Sequence, residues 1–395
     1  MKKLLFITWD SDSTNYLENL FFPILSGLHK MGEIEPFVFQ FSWANKKEVE
    51  RINSIALKLG IPYFHAAIPK KLPGTIGALG AISKNRKKVL ELVKTEGIQV
   101  VMPRSTMPAL LVLSIFKKLK NIGIELVFDA DGLPIQERFD QGYLTKNSIQ
   151  YQILTKIERL ILQKADKVLC RSQKAIDWHL SKSPQLNKEE FFVVGNGRDP
   201  NLFYFDKETR RRVRNELGLQ DEILLVHSGS LGPGYALEKV FQLLSYLKSN
   251  EVAFRMLFLT RNDSILSELT PTSLNDCILS LQVPFKDIPT YLNAADFGIS
   301  VRAPHPSIQG ILPIKFGEYL MCGLPVIVSQ GIGDLDELVQ GSQSCYFLDH
   351  QQLDWQHLLG WMREAQVLDR KSISQQGEEL FSLENTLLDY RKALI

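Results

Sequence analysis

The chain has 395 residues, more than a single hydrophobic core usually organises, and its 45% hydrophobic and 23% charged residues fit a globular protein of two domains. A formal charge of +2 gives no global signature of nucleic-acid binding. Four widely separated cysteines, Cys170, Cys277, Cys322 and Cys345, have neither zinc nor redox spacing and read as reduced core thiols. MKKLLFITWD opens like a signal peptide, but its apolar run stops at Asp10 and Asp12, so a first strand is expected. No apolar run approaches the roughly 18 residues of a membrane span, which makes a cytoplasmic protein the expectation.

Strand and helix periods alternate along the first half. Leu4–Thr8 reads as a strand, followed by a polar loop and an amphipathic helix to about Lys30. Strands are then expected at Phe37–Phe41, Ile61–His65, Val100–Met102, Glu125–Phe128 and Lys167–Cys170, with helices over 45–59, 75–95, 107–120 and 147–164. This βαβ repetition implies a mostly parallel, doubly wound sheet that receives ligands at the carboxyl ends of its strands.

The run Val193-Val194-Gly195-Asn196-Gly197-Arg198-Asp199-Pro200 has the composition of a linker, and a second α/β series follows it. A basic helix over 207–217 precedes strands at Ile223–His227, Phe254–Leu259, 277–281 and Phe297–Val301, with helices over 235–248 and 286–294 between them. The stretch Leu312–Val328 then predicts a helix opened by Pro313, closed by Gly323 and followed by a buried strand. Such a helix start is suited to receiving a phosphate. The same pattern also fits a packing helix on which Lys315 and Glu318, three apart, form an exposed ion pair. Helices over 351–366 and 383–394 complete the reading. The expected architecture is two Rossmann-like domains, with a ligand cleft between them.

Chemistry-bearing residues gather at the expected strand ends. In the second half these are the loop Ser228-Gly229-Ser230-Leu231-Gly232-Pro233-Gly234, which is neither a Walker loop nor a GxGxxG motif, and Arg302. His227, just before the loop, reads as a buried strand residue. In the first half Arg104-Ser105 follows one strand, and Asp129, Asp131 and Glu137 follow another. The three carboxylates suit either a divalent metal, sugar hydroxyls, or capping and turn chemistry.

Taken in order, several segments resemble a family 4-like retaining glycosyltransferase with the GT-B fold. FDADGLPIQERF and KADKVLCRSQKAIDWHL are similar to its acidic loop and "AD.V...S......L" segment. VVGNGRDPNLF is similar to its "NG.D...F" linker, RRRVRNELGL to its "R...LGL" helix, and HSGSLGPGY to its "GSLG..Y" loop. NAADFGISVRAPHPSIQGILPIKFGEYLMCGLPVIVS is similar to its "AD.G...R.......P.K..EYL..G.PV" block. The resemblance covers most of residues 100–330.

The resemblance implies transfer of a sugar from a nucleotide diphosphate, UDP- or GDP-linked, to an acceptor hydroxyl with retention of configuration. Surface polysaccharide or glycoconjugate assembly is the expected setting, with a glycan or lipid-linked acceptor and no bound divalent ion. Glu318 would hold the donor ribose, and Leu312, Pro313 and Ile314 would face the diphosphate. Lys315 and Arg302 would add positive charge, Ser228, Gly229 and Ser230 would lie near the phosphates, and Val283, Pro284 and Phe285 would border the base. Arg104, Asp129, Asp131, Arg302 and Lys315 form the expected catalytic set. Three positions depart from the family pattern: Gly310 stands where a second glutamate is common, Ser230 and Tyr235 replace a basic pair, and Asp129 replaces a histidine.

The implied domains are an acceptor-side domain over 1–196 and a donor domain over 197–380, with the helix 381–395 returning to the first. Lys70, Lys71, Lys84, Arg86, Lys87 and Lys88 surround LPGTIGALGAIS, a pattern suited to peripheral contact with an anionic membrane or to a solvated helix face. Two competing functions use the same fold: a nucleotide-sugar epimerase, and a protein that binds a nucleotide sugar or a partner enzyme without catalysis.

Overall fold

The computed structural model describes residues 1–10, 15–69 and 74–395, with residues 74–76 described by their backbone alone. The chain divides into two units, Met1–Gly195 with Thr386–Ile395, and Asn196–Asn385. Each unit is a parallel sheet with helices in its connections, as the βαβ periodicity requires.

In the first unit the strands are β1 (Lys2–Asp10), β2 (Ile34–Ser42), β3 (Tyr63–Ala67), β4 (Val100–Pro103), β5 (Glu125–Asp131), β6 (Lys167–Cys170) and β7 (Phe191–Val193). They lie in the order β3-β2-β1-β4-β5-β6-β7, and every pairing is parallel. MKKLLFITWD thus supplies an interior strand, and Leu4 to Ile7 are completely buried in it, consistent with its unbroken apolar run. The segment Thr386–Ile395 completes this unit: Tyr390, Ala393 and Leu394 are buried, and Lys2 donates to the Leu394 carbonyl at 2.8 Å.

The basic segment forms a helix whose charged residues lie on a solvated face, one of the two placements its pattern suggested. Its residues Lys70–Pro73 lie outside the described residues. The helix Gly74–Thr95 turns Ala78, Ala81 and Ile82 into the protein interior, while Lys84, Arg86, Lys87 and Lys88 are solvated on its outer side. Leu79 on the same helix is exposed. Among the described residues no helix is long and apolar enough to cross a membrane.

The second unit contains β8 (Ile223–Ser228), β9 (Phe254–Leu259), β10 (Ile278–Leu281), β11 (Phe297–Ser300), β12 (Val326–Ser329) and β13 (Cys345–Leu348), in the order β10-β9-β8-β11-β12-β13 and again all parallel. The strand order reverses between β8 and β11, the place in a doubly wound sheet where loops diverge and open a ligand crevice. The helix Ile314–Met321 feeds β12 through Gly323, whose φ of +71° closes the helix. Gly298, on β11, lets the Tyr319 ring approach closely, since a Cβ there would stand 2.4 Å from it. Tyr319 consequently reaches across to β8, where its hydroxyl accepts the Ser228 N–H at 2.9 Å.

All four cysteines are unpaired, three of them buried and Cys277 partly so.

Candidate functional site

At the carboxyl edge of the second sheet, four elements deliver one group of side chains. β8 ends in His227 and Ser228, and Gly229 and Ser230 begin the loop that leads to Tyr235. Arg302 follows β11, and Lys315 lies in the first turn of the helix Ile314–Met321. Gly229 adopts φ +109°, and a Cβ on it would stand 2.8 Å from Lys315 Cε and 2.9 Å from Nζ. Glycine here both permits the turn and leaves the space in which the lysine lies.

Tyr235 is the centre of this group. Lys315 Nζ sits 4.1 Å above its ring centroid and the Arg302 guanidinium 4.8 Å from it, and Arg302 Nη2 donates to the Tyr235 hydroxyl at 3.4 Å. His227 meets the same ring edge-on at 5.1 Å, and its Nε2 lies 3.4 Å from Lys315 Nζ. Burial opposes ionisation of the Tyr235 phenol, yet the charges of Lys315 and Arg302 outweigh it and bring its pKa down to about 8. Burial and then Lys315 hold His227 neutral, with a pKa near 3, while burial lowers the pKa of Lys315. Among the described residues Lys315 has no carboxylate at ion-pair distance; its polar partners are the imidazole and the phenol.

Ser329, at the end of β12, fixes Arg302 by its backbone: the Ser329 hydroxyl accepts the Arg302 N–H at 2.8 Å and donates to the Arg302 carbonyl at 2.9 Å. The helix Ile314–Met321 has Pro313 at its cap position and no side chain capping it; the Phe316 N–H donates to the Pro313 carbonyl at 3.1 Å, and among the described residues no side chain takes up the other N–H groups of the first turn.

Glu318 differs from the exposed ion pair that its spacing from Lys315 suggested. It is only 4% exposed, and its Oε1 accepts from Arg198 Nε at 2.7 Å. The helix is packed on this side, so the two residues turn to different partners although they are one turn apart. Arg198 in turn lies 5.0 Å from the Phe285 ring centroid, and Phe285 packs against Phe203 at 5.8 Å. Glu318 and Phe285 are thereby joined through an arginine of the linker. Pro284, beside Phe285, is exposed, Ser230 is exposed at the loop, and Leu312 is half-buried against the core.

In the first unit Arg104, Asp129 and Asp131 also converge, at the ends of β4 and β5. Asp129 is fully buried and receives Arg171 Nη2 on both oxygens, at 2.8 and 2.9 Å. Arg104 Nη2 donates to Asp131 Oδ2 at 2.5 Å, and its guanidinium lies 4.8 Å from the Phe21 ring. Burial would raise the Asp131 pKa, but Arg104 and Arg171 together hold it below its ordinary value. Ser105 and Asp131 take left-handed φ values of 64° and 65°, so the backbone itself is bent around this cluster. Both aspartates are engaged by arginines, and among the described residues no three His, Cys, Asp or Glu side chains are arranged to hold a metal ion.

Three participants were not among the site residues expected from the sequence. Arg198 carried a signal only as part of the linker motif, His227 was read as a buried strand residue, and Tyr235 was read as a replacement for a basic residue. Each acquires its partners from residues far along the chain: Arg198 from Glu318, and His227 and Tyr235 from Lys315.

No family model matches the chain. Over 180 residues it is 24% identical to a Bacillus subtilis protein that carries the provisional description teichuronic acid biosynthesis glycosyltransferase TuaH. That match spans 45% of this chain and 43% of TuaH, less than half the length of this curated relative. Among solved structures, Anabaena Alr3699/HepE in complex with UDP and glucose superposes with a TM-score of 0.73 at 14% identity, over 100% of this chain and 99% of HepE. Sucrose-phosphate synthase from Thermosynechococcus elongatus superposes with a TM-score of 0.69 at 14% identity, covering 99% and 98% of the two chains. The fold class is therefore GT-B, two Rossmann-like parallel-sheet domains in one chain.

Proposed function

We propose that this protein is a glycosyltransferase that moves a sugar from a nucleotide diphosphate to an acceptor hydroxyl with retention, in surface polysaccharide or glycoconjugate assembly. The observation that carries the reading is the convergence of Lys315, Arg302, the Ser228–Ser230 turn and an uncapped helix start on one sheet edge of the second unit. That edge offers what a departing diphosphate needs: cations and oriented N–H groups already in place before charge develops. The HepE complexes with UDP and with UDP-glucose, and the TuaH description, support the same donor class and setting.

In this reading the Ser228–Ser230 turn, Pro313, Ile314, Lys315 and Arg302 receive the diphosphate. Glu318, oriented by Arg198, takes the ribose hydroxyls, and Phe285 borders the base, with Pro284 and Leu312 at the margins. The bond from the anomeric carbon to the diphosphate breaks, and the acceptor oxygen bonds on the same face. The acceptor proton passes to the departing phosphate oxygen. Unit 1 is assigned the acceptor, with Arg104, Asp129 and Asp131 as a fixed-charge platform at its strand ends.

A thermal-shift series with UDP-, GDP-, ADP- and CMP-linked sugars tests the reading, because a ligand held by the native state alone raises apparent stability by mass action. A UDP- or GDP-linked sugar is expected to raise Tm, followed by release of the nucleoside diphosphate on adding acceptor. No shift with any of the four removes the proposal.

A further inference from the structure

Tyr235 occupies a place that the donor-site reading leaves without a role. Its ring lies under Lys315 Nζ at 4.1 Å and beside the Arg302 guanidinium at 4.8 Å, and its hydroxyl receives Arg302 Nη2 at 3.4 Å. Two cations from two separate elements converge on the ring. Both belong to the residues assigned above to the diphosphate.

Resting on that reading, we propose that Tyr235 is a further donor-binding residue, whose neutral hydroxyl donates to a diphosphate oxygen while its ring holds Lys315 and Arg302 on either side. Its bound form thus combines three functions: a proton donor to the phosphate and a cation–π seat for each of two charges. A deprotonated Tyr235 acts in the opposite sense. The phenolate has no proton to donate, places a negative charge beside the incoming diphosphate and attracts Lys315 and Arg302 to itself.

The titratable and charged groups around the phenol are few. His227 approaches from β8, Arg302 from the end of β11, and Lys315 from its helix, while Tyr319 and Glu318 on that same helix stand behind Lys315. His227 is neutral throughout the ordinary pH range, and Glu318 is held by Arg198. Burial raises the phenol, while Lys315, Arg302 and a hydrogen bond with the Ser230 side chain lower it, so that it titrates near pH 8.

Calorimetric titration of the full chain with UDP and with GDP, from pH 7 to pH 9, tests this. If only the neutral phenol binds, the apparent Kd of the wild type rises about tenfold over that interval, because the competent fraction falls as the phenol ionises. Tyr235→Phe keeps the ring and the seat for both cations, so it is expected to fold normally. It should bind UDP roughly tenfold more weakly at pH 7, the loss of one hydrogen bond to a charged group, and its Kd should be flat to pH 9. Uridine, which has no phosphate, should bind both proteins equally.

A second readout does not depend on affinity. The ultraviolet difference spectrum between wild type and Tyr235→Phe isolates one phenol among the 11 tyrosines, and its ionisation should lie near pH 8 and move upward with UDP bound. An alkaline loss of affinity that persists in Tyr235→Phe belongs to Lys315 and overturns the proposal, as does equal binding of UDP by the two proteins at pH 7. Absence of nucleoside diphosphate binding by the wild type at every pH overturns the donor-site reading itself, and this inference with it.

Discussion

The two units place charges at the same topological position, the carboxyl ends of parallel strands, and use them differently. In unit 1 the arginines are matched with aspartates: Arg171 takes both oxygens of Asp129, and Arg104 takes Asp131. In unit 2 Lys315 is held by a neutral imidazole and a phenol, with no carboxylate at ion-pair distance among the described residues. A buried ion pair is costly to break and contributes mainly to fixing a conformation, whereas a cation seated on an aromatic ring keeps its charge available to a ligand. The first arrangement holds a surface in shape, and on the proposed reading the second prepares a place for an anion.

The largest expected effect tests the first half of that contrast. Asp129→Ala removes the bidentate counter-charge of buried Arg171, leaving it only Asp131 at 3.8 Å, and should destabilise unit 1 by about 3–5 kcal/mol, read by denaturant unfolding. Lys315→Ala should do the reverse, leaving the unfolding midpoint in place while kcat/KM for the nucleotide-sugar donor falls by about 10²–10³. If Lys315→Ala unfolds as early as Asp129→Ala, the distinction between the units collapses.

Glu318→Gln sharpens the comparison, because Glu318 belongs to unit 2 yet sits in a buried pair like those of unit 1. It should cost roughly 1.5–3 kcal/mol of stability and also raise the donor KM. The smallest effect is set by pH. His179 in unit 1 is 3% exposed, and burial pulls its pKa down from 6.5 to about 4. The unfolded chain takes up that proton first, so the contribution is complete above pH 6.5 and is lost as pH falls toward 4. At pH 5 the loss should be about 2 kcal/mol, and His179→Gln should flatten that part of the stability profile.

The fold class was legible because both periods are strong: buried strands such as Leu4–Ile7 and Val326–Val328 are unbroken apolar runs, and amphipathic helices separate them. Elements too short or too polar for a period escaped the reading. β7 is only three residues, its last one, Val193, read as the start of the linker, and β13 is four. The helix Arg370–Phe381 buries only Ile373, Gly377 and Phe381, a stripe whose middle member is a glycine. At the candidate site, the sequence marked positions but not pairings. Lys315 and Glu318 were visible as one helical turn, yet the side chains that set their chemistry, His227, Tyr235 and Arg198, are separated from them by 88, 80 and 120 residues. Local spacing reports which residues share a helix face; it carries no record of what another element brings against that face.

The division of the chain also sets an order in time. Unit 1 contains β1 and also Thr386–Ile395, and its interior includes Tyr390, Ala393 and Leu394. Unit 2 is continuous from Asn196 to Asn385. On a ribosome, unit 2 therefore has all of its own residues before unit 1 does, although unit 1 begins first. Unit 1 closes its core only across a sequence separation of nearly the whole chain, as in the contact of Lys2 with the Leu394 carbonyl, 392 positions apart. Contacts of that span are slow to form, and unit 1 can close its core only after the residues of unit 2 have been made.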